Sequence, residues 1–142
     1  MYKSVLLPID LNQPSSWSKA LPAALALCKT FDAELHIVTV VPDFGSALVG
    51  GFFPEEFEKS ALEKVSASLK DFIEKNVVDG TRVKEHLAHG TIYEEINRAA
   101  DKLECDLIIL ASHRPELKDY LLGPNAARVV RHASQSVMVV RD

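Results

Sequence analysis

The chain alternates short apolar runs with segments of helical periodicity, and this alternation limits its fold more than any other feature. Runs rich in leucine and β-branched residues cover residues 3–9, 34–41, 81–88, 106–111 and 136–140. Between them, apolar residues recur every three to four positions, which is typical of helices. Because a helix separates each strand from the next, the order predicts an α/β fold: an open parallel sheet of five strands with right-handed crossovers and helices on both faces.

Two helices carry signals about where and how they begin. Apolar residues recur from Trp17 to Cys28 and predict the first helix. Pro22 inside this pattern predicts a kink, because proline lacks an N–H and its ring clashes with the preceding turn. Thr91 and Glu94 have the spacing of a capping box, which predicts that a later helix begins there.

Length, charge and cysteine content restrict the class of protein. The 142 residues suit one domain, and 16 lysines and arginines against 20 acidic residues give a net charge of −4, which disfavours nucleic acid and anionic membranes as partners. The apolar runs are far shorter than the roughly 20 residues of a membrane helix, and no signal-peptide region precedes Pro8. Cys28 and Cys105 both lie in apolar segments, so we expect buried free thiols and a cytoplasmic location.

Polar residues follow several of the predicted strands where a ligand would bind. In an open parallel sheet, the crevice lies beyond the carboxyl ends of the strands. Asp10 follows the first strand, Val40 lies near the end of the second, and residues 112–114 follow the fourth. The first and fourth strands are expected to be central. A helix that begins at Pro124 would add unpaired backbone N–H groups, which favour an anion.

These segments resemble the universal stress protein family. The resemblance is carried by Lys-Ser-Val-Leu-Leu-Pro-Ile-Asp at residues 3–10, Ala-Ser-His-Arg-Pro at 111–115, Gly-Pro-Asn-Ala-Ala-Arg-Val-Val-Arg-His-Ala at 123–133 and Ser-Val-Met-Val-Val at 136–140. It covers essentially the whole chain and is similar to a sub-branch with a Ser-His-Arg-Pro loop. It implies one universal stress protein domain over residues 1–142, a Rossmann-like sheet in the order 3-2-1-4-5, and a homodimer. The exposed edge strand at residues 136–140 is where we expect the two copies to pair.

The resemblance also implies ATP as a ligand, at the carboxyl edge of the first and fourth strands. The family's matching aspartate contacts the adenine, so we expect the same of Asp10, with Val40 beside the base. Mg²⁺ is expected only on the phosphates of the nucleotide. The expected nucleotide-binding residues are Pro8, Ile9, Asp10, Val40, Ala111, Ser112, His113, Arg114, Gly123, Pro124, Asn125 and Ala126.

The chain departs from the glycine pattern of the ATP-binding branch. Ala111 and Arg114 stand where that branch has glycines, the spacer before Gly123 is one residue shorter, and Pro124 replaces a serine or threonine. Two classes of function therefore remain open. One is a stress sensor or regulator that binds an adenine nucleotide. The other is a nucleotide-free dimeric interaction protein with the same fold.

Simpler structural roles compete with these interpretations. Asp10 precedes Asn12, so its carboxylate also suits the capping of a turn. Residues 42–53 contain five large apolar residues and are expected to form a lid, a partner surface or a self-packed loop. No lysine-containing phosphate loop and no positioned general base are evident, so we expect no enzyme activity beyond very slow ATP hydrolysis. His86 and His89 would point to opposite faces of a strand, and no protein-built metal site is expected.

Overall fold

A computed structural model describes residues 1–41, 55–77, 80–112 and 124–141 of the chain. Its strands are β1 (Ser4–Ile9), β2 (Glu34–Val41), β3 (Val83–His89), β4 (Leu107–Ser112) and β5 (Ser136–Arg141). Its helices are α1 (Ala20–Phe31), α2 (Glu55–Asn76), α3 (Ile92–Lys102) and α4 (Pro124–His132), with a short 3₁₀ helix at Pro14–Ser16. The predicted apolar segment at residues 42–53 lies outside the described residues.

The five strands form one parallel sheet in the order β3-β2-β1-β4-β5, as predicted. The register places Leu6 of β1 opposite His36 of β2 and Ile108 of β4. With β1 in the middle, the chain builds the sheet outward in one direction through β2 and β3, and in the other through β4 and β5. The strand order therefore changes direction between β1 and β4.

Alternate residues of the strands fill two separate cores, one on each face of the sheet. The core under α1 and α2 includes Val5, Leu7, Leu35, Ile37, Leu69 and Ile109, and the core under α3 and α4 includes Leu6, Val38, Ile96, Ile108 and Val129. Because neighbouring strand residues point to opposite faces, a strand buried on both sides appears in the sequence as a continuous apolar run. This explains why the central strands were recognisable.

Pro22 does not lie in the interior of α1, so the premise of the predicted kink is wrong. The helix begins at Ala20 rather than near Trp17, so Pro22 lies in its first turn. The first four N–H groups of a helix have no acceptor within it, and a proline there removes no hydrogen bond from the ladder.

The capping box at the start of α3 is only partly correct. Thr91 is the N-cap residue and its carbonyl accepts the N–H of Glu95 at 2.9 Å, but the Thr91 side chain makes no capping hydrogen bond. Glu94 does not reach back, because its Oε1 accepts the hydroxyl of Tyr93 at 3.3 Å. Glu94 and Glu95 still favour the helix start through their negative charge.

Both cysteines are buried, as the sequence predicted. Cys28 in α1 is 2% exposed and Cys105, before β4, is 5% exposed. Burial raises the pKa of the Cys28 thiol to about 11, and burial is also the main cause that raises the pKa of Cys105. A thiol reacts as the thiolate, so both side chains act as small apolar groups at neutral pH.

Candidate functional site

A crevice of about 730 Å³ lies beyond the carboxyl ends of β1 and β2. Its apolar surface comes from both strands and from the flanking helices, with Pro8, Ile9, Val40, Val41, Val65, Phe72, Ile92 and Ile96. Its polar groups include Asp10 and Asn12, which follow β1. The sequence analysis expected the ligand at this edge of the sheet, over the first and fourth strands. Among the described residues, the crevice is lined by the ends of β1 and β2 and by residues of α2 and α3.

The loop after β1 holds the Asp10 carboxylate in place. Asp10 Oδ1 accepts the backbone N–H of Asn12 at 2.9 Å, which forms the turn that the simpler interpretation predicted. The backbone of Asp10 is bonded as well: its N–H donates to Ser16 Oγ at 2.8 Å, and its carbonyl accepts the Ser16 hydroxyl at 3.0 Å and the Gln13 N–H at 3.0 Å. Within the described ranges, no hydrogen bond reaches Asp10 Oδ2. One carboxylate oxygen is thus used by the turn, and the other has no hydrogen-bond partner within these ranges, on a residue that is exposed as a whole.

Two further hydrogen bonds fix the rim of the crevice. The buried hydroxyl of Thr39 donates to the carbonyl of Ile9 at 2.6 Å, which ties the end of β2 to the end of β1. The N–H of Gly90 donates to the carbonyl of Val41 at 3.0 Å, which ties the end of β2 to the loop before α3. These bonds hold the end of β2 to its neighbours on both sides at the rim of the crevice.

The sequence interpretation missed the polar wall that α2 supplies. Lys64, Ser68, Asp71 and Lys75 all line the crevice. Asp71 Oδ2 and Lys75 Nζ form an ion pair at 2.9 Å, while no ion pair to Lys64 occurs among the described residues. The sequence did contain a signal for this wall. The four residues are spaced by four, three and four positions, and residues with that spacing share one face of a helix. The sequence interpretation followed only the apolar face of this helix.

Ala111, Ser112, Asn125 and Ala126, the predicted phosphate residues whose side chains the structure describes, do not line this crevice. Ala111 and Ser112 end β4, where they pair with Val140 and Arg141 of β5, and neither lines the crevice. Asn125 is half-buried in the first turn of α4. His113, Arg114 and Gly123 lie outside the described residues, and the side chain of Pro124 is not described.

Ala126 also belongs to the predicted phosphate set. Its methyl group is 6% exposed in the core under α3 and α4, so only its backbone N–H is suited to a ligand. The structure therefore brings Pro8, Ile9, Asp10 and Val40 together at the crevice and leaves the other described residues of the set outside it.

A histidine pair, in which His36 is buried and His86 half-buried, was also missed. His36 Nδ1 and His86 Nε2 share a hydrogen bond of 2.8 Å, and Glu34 Oε1 lies 2.9 Å from His36 Nε2. Burial is the main cause that lowers the pKa of both histidines. The parts of the chain that the structure describes contain no group of three or more His, Cys, Asp or Glu side chains suited to a metal ion. Each facing ring nitrogen is occupied by the other, so the pair joins β2 to the edge strand β3.

The crevice combines three chemical properties. Its floor is apolar, one carboxylate oxygen of Asp10 is open to a hydrogen-bond donor, and the α2 wall carries the ammonium groups of Lys64 and Lys75. A ligand that matches it has an apolar part and a hydrogen-bond donor at its edge. Of the two ammonium groups, that of Lys75 is already paired with Asp71. None of the helices within the described ranges has the length and apolar character needed to cross a membrane.

Comparison with solved structures finds the same fold in other proteins. The structure of protein MJ0577 from Methanocaldococcus jannaschii is 29% identical, covers 100% of this chain and 97% of its own, and superposes with a TM-score of 0.72. A universal stress protein in complex with cAMP has a TM-score of 0.62 at 21% identity, covering 99% and 97% of the two chains. One from Archaeoglobus fulgidus in complex with dAMP has a TM-score of 0.65 at 19% identity, covering 97% of each chain. These last two similarities show the fold.

Sequence comparison extends over the same length. Universal stress protein G of Shigella flexneri is 30% identical over 143 aligned positions, which cover 99% of this chain and 100% of the relative. Universal stress protein MJ0577 is 32% identical over 158 positions, which cover 99% and 96%. The sequence model of the universal stress protein family matches residues 1–141. With the sheet order, the end-to-end relatives and the family match in agreement, this chain belongs to the universal stress protein family.

Proposed function

We propose that this protein binds an adenine nucleotide, with ATP as the ligand, and acts as a stress sensor or regulator. The observation that carries the proposal is the Asp10 carboxylate, whose Oδ1 is held by Asn12 while its Oδ2 is open at the edge of an apolar crevice. An adenine ring buries apolar faces and donates a hydrogen bond from its exocyclic amino group. In the proposed complex, Asp10 accepts that bond and Pro8, Ile9 and Val40 pack against the base.

Relatives with the same fold support the ligand class. The structure of one universal stress protein is a complex with cAMP and that of another is a complex with dAMP, and both ligands contain adenine. For this chain, we propose that the phosphates lie toward the end of β4 and the start of α4, with Mg²⁺ bound to them. The residues proposed there are Ala111, Ser112, His113, Arg114, Gly123, Pro124, Asn125 and Ala126. The Ser-His-Arg-Pro loop would make this chain part of a sub-branch that replaces glycines with a cation.

The first prediction tests nucleotide binding at Asp10. Calorimetric titration with Mg-ATP should show saturable binding, and Asp10→Asn should raise the Kd about ten- to a hundredfold. The amide keeps an oxygen that accepts the N–H of Asn12, so the turn is preserved. Its NH₂ group, a donor, takes the place of the open acceptor oxygen, and the negative charge is lost. Asp71→Asn is the matched control, because Asp71 lines the same crevice but pairs with Lys75. That control should change the Kd less than threefold.

The competing function is a nucleotide-free dimeric interaction protein of the same fold. Mass spectrometry of small molecules released from freshly purified, denatured protein separates the two. Released adenine nucleotide supports the sensor. Absence of any released nucleotide, together with no heat at millimolar ATP, would reject the sensor and favour the interaction protein.

We also propose a homodimer that pairs through β5. This strand is one edge of the sheet, and its Met138 side chain is 38% exposed. An apolar edge strand has free backbone groups that a second copy satisfies.

The second prediction follows from this edge. Light scattering at micromolar concentration should give twice the chain mass of 15.7 kDa, and Met138→Glu should shift the protein toward monomer because two carboxylates would approach each other across the interface. Ala67→Glu, on an exposed position of α2, should leave the mass unchanged. A monomeric wild-type protein would exclude this dimer.

The remaining parts of the proposal concern the chain as a whole. Residues 1–142 would form one universal stress protein domain that works in the cytoplasm. We propose no catalytic role beyond very slow ATP hydrolysis. Fast hydrolysis needs a general base placed against a water molecule. In the described crevice, one oxygen of the Asp10 carboxylate is already engaged in the turn. Steady ATP turnover faster than about one per minute would contradict this, since ordinary enzymes reach about 1–10³ per second.

A further inference from the structure

A single serine controls the backbone of the residue that the proposed site depends on. Ser16 closes the 3₁₀ helix after β1, and its hydroxyl makes two hydrogen bonds to Asp10: it accepts from the N–H at 2.8 Å and donates to the carbonyl at 3.0 Å. A hydroxyl can accept and donate at once, which an alanine methyl group cannot do. Ser16, the last residue of the loop 10–16, is therefore bonded to Asp10, the first residue of that loop.

This contact determines where the Asp10 carboxylate points. Asp10 lies immediately beyond the last residue of β1, so Ser16, and not a neighbouring strand, bonds its N–H. Fixing both backbone groups of Asp10 fixes its Cα–Cβ direction, and the Asn12 N–H then orients the carboxylate through Oδ1. The open Oδ2 is thus held before a ligand arrives. Such preorganisation strengthens binding because less conformational freedom is lost on association.

We propose that Ser16 is a positioning residue that makes the crevice selective for a purine with an amino group at C6. This inference rests on the proposed nucleotide function and adds the source of its base selectivity. Ser16 itself does not line the crevice, and it acts through Asp10. ATP offers an amino donor to the carboxylate, whereas ITP places a carbonyl oxygen there, which a fixed carboxylate repels.

The test compares Kd values for Mg-ATP and Mg-ITP. Wild-type protein should prefer ATP by at least about tenfold, and Ser16→Ala should weaken ATP binding roughly three- to tenfold while ITP affinity stays within about twofold. A general loss of folding would weaken both nucleotides equally, so the ratio separates positioning from stability. Ser16→Thr, which keeps a hydroxyl, should restore most of the preference.

The neighbouring serine is the matched control. Ser15 belongs to the same 3₁₀ helix, and its hydroxyl makes no hydrogen bond within the described part of the chain, so Ser15→Ala should keep the wild-type ratio. If Ser16→Ala fails to fold, Ser16→Cys keeps the size, weakens both bonds and should give an intermediate ratio. An unchanged ratio in the folded Ser16 variants of a nucleotide-binding wild type would overturn the role of Ser16 alone. Wild-type protein that binds neither nucleotide would overturn the proposed function as well.

Discussion

Replacing Ile108 with alanine is expected to lower the free energy of unfolding by about 2–5 kcal/mol. Ile108 lies in the interior strand β4, pairs with Leu6 of β1 and is 0% exposed in the core under α3 and α4. Truncation removes buried apolar atoms and leaves a cavity that strands held in a ladder cannot close. Because native proteins are stable by only about 5–15 kcal/mol, this single change removes a large share of the total.

Urea denaturation of the full chain measures this effect. Ile108→Val removes one methylene group and should cost about 0.5–1.5 kcal/mol, which gives a graded series at one position. Val130→Ala on α4 is the control, because Val130 is 43% exposed and should change stability by less than about 0.5 kcal/mol. Equal losses at Ile108 and Val130 would contradict the described core.

The sequence was sufficient to predict the fold because the pattern is dominated by burial. The predicted bounds of β2, residues 34–41, are those observed, since a strand covered on both faces reads as a continuous apolar run. The strand order came from the family resemblance. The error at Pro22 arose because periodicity places a helix along the chain but not its first residue, and the first turn is the one place where proline is harmless.

The candidate site was only partly predictable, because its remaining parts depend on distances between elements. Asp10 was found because it directly follows a strand. The α2 wall with Lys64 and Lys75 required the position at which the helix crosses the sheet edge, which local spacing does not provide. The pairing of His36 with His86 likewise depends on strand register: His36 lies opposite Lys84, and His86 opposite Val38. Residues fifty positions apart become partners only when this register is known.

That histidine pair predicts a loss of stability in mild acid. A neutral His36 that donates from Nε2 to Glu34 accepts at Nδ1, so His86 Nε2 supplies the shared proton. The bridge needs one unprotonated nitrogen between the two rings, and protonating both rings breaks it. His36 is 4% exposed, and His86 is half-buried in the edge strand β3. Protonation therefore acts on the junction between β3 and the rest of the sheet.

The surrounding charges give the direction of the effect. Burial is the largest cause that lowers the pKa of both histidines. Lys84 on β3 lowers them further, as does Lys102 on α3 for His86, whereas Glu34 on β2 opposes the shift. Above the ordinary pKa of 6.5, both the folded and unfolded chains carry neutral rings, and the pair causes no pH dependence. Below 6.5 the unfolded chain binds protons that the folded chain does not, so the free energy of unfolding falls until pH drops below the folded-state values.

The expected slope is up to about 1.4 kcal/mol per pH unit for each histidine. Urea denaturation between pH 7.5 and 5.5 measures it above the range in which most carboxylates titrate. His86→Gln should flatten the slope, because an amide can still donate to His36 Nδ1 but cannot take up a proton. His132→Gln, at an exposed position on α4, should keep the wild-type slope. Stability that stays constant from pH 7.5 to 5.5 in the wild type, or an equal slope in His86→Gln, would mean that the histidine pair does not control the acid response. A flattened slope in His86→Gln alone would assign that response to the contact between β2 and β3.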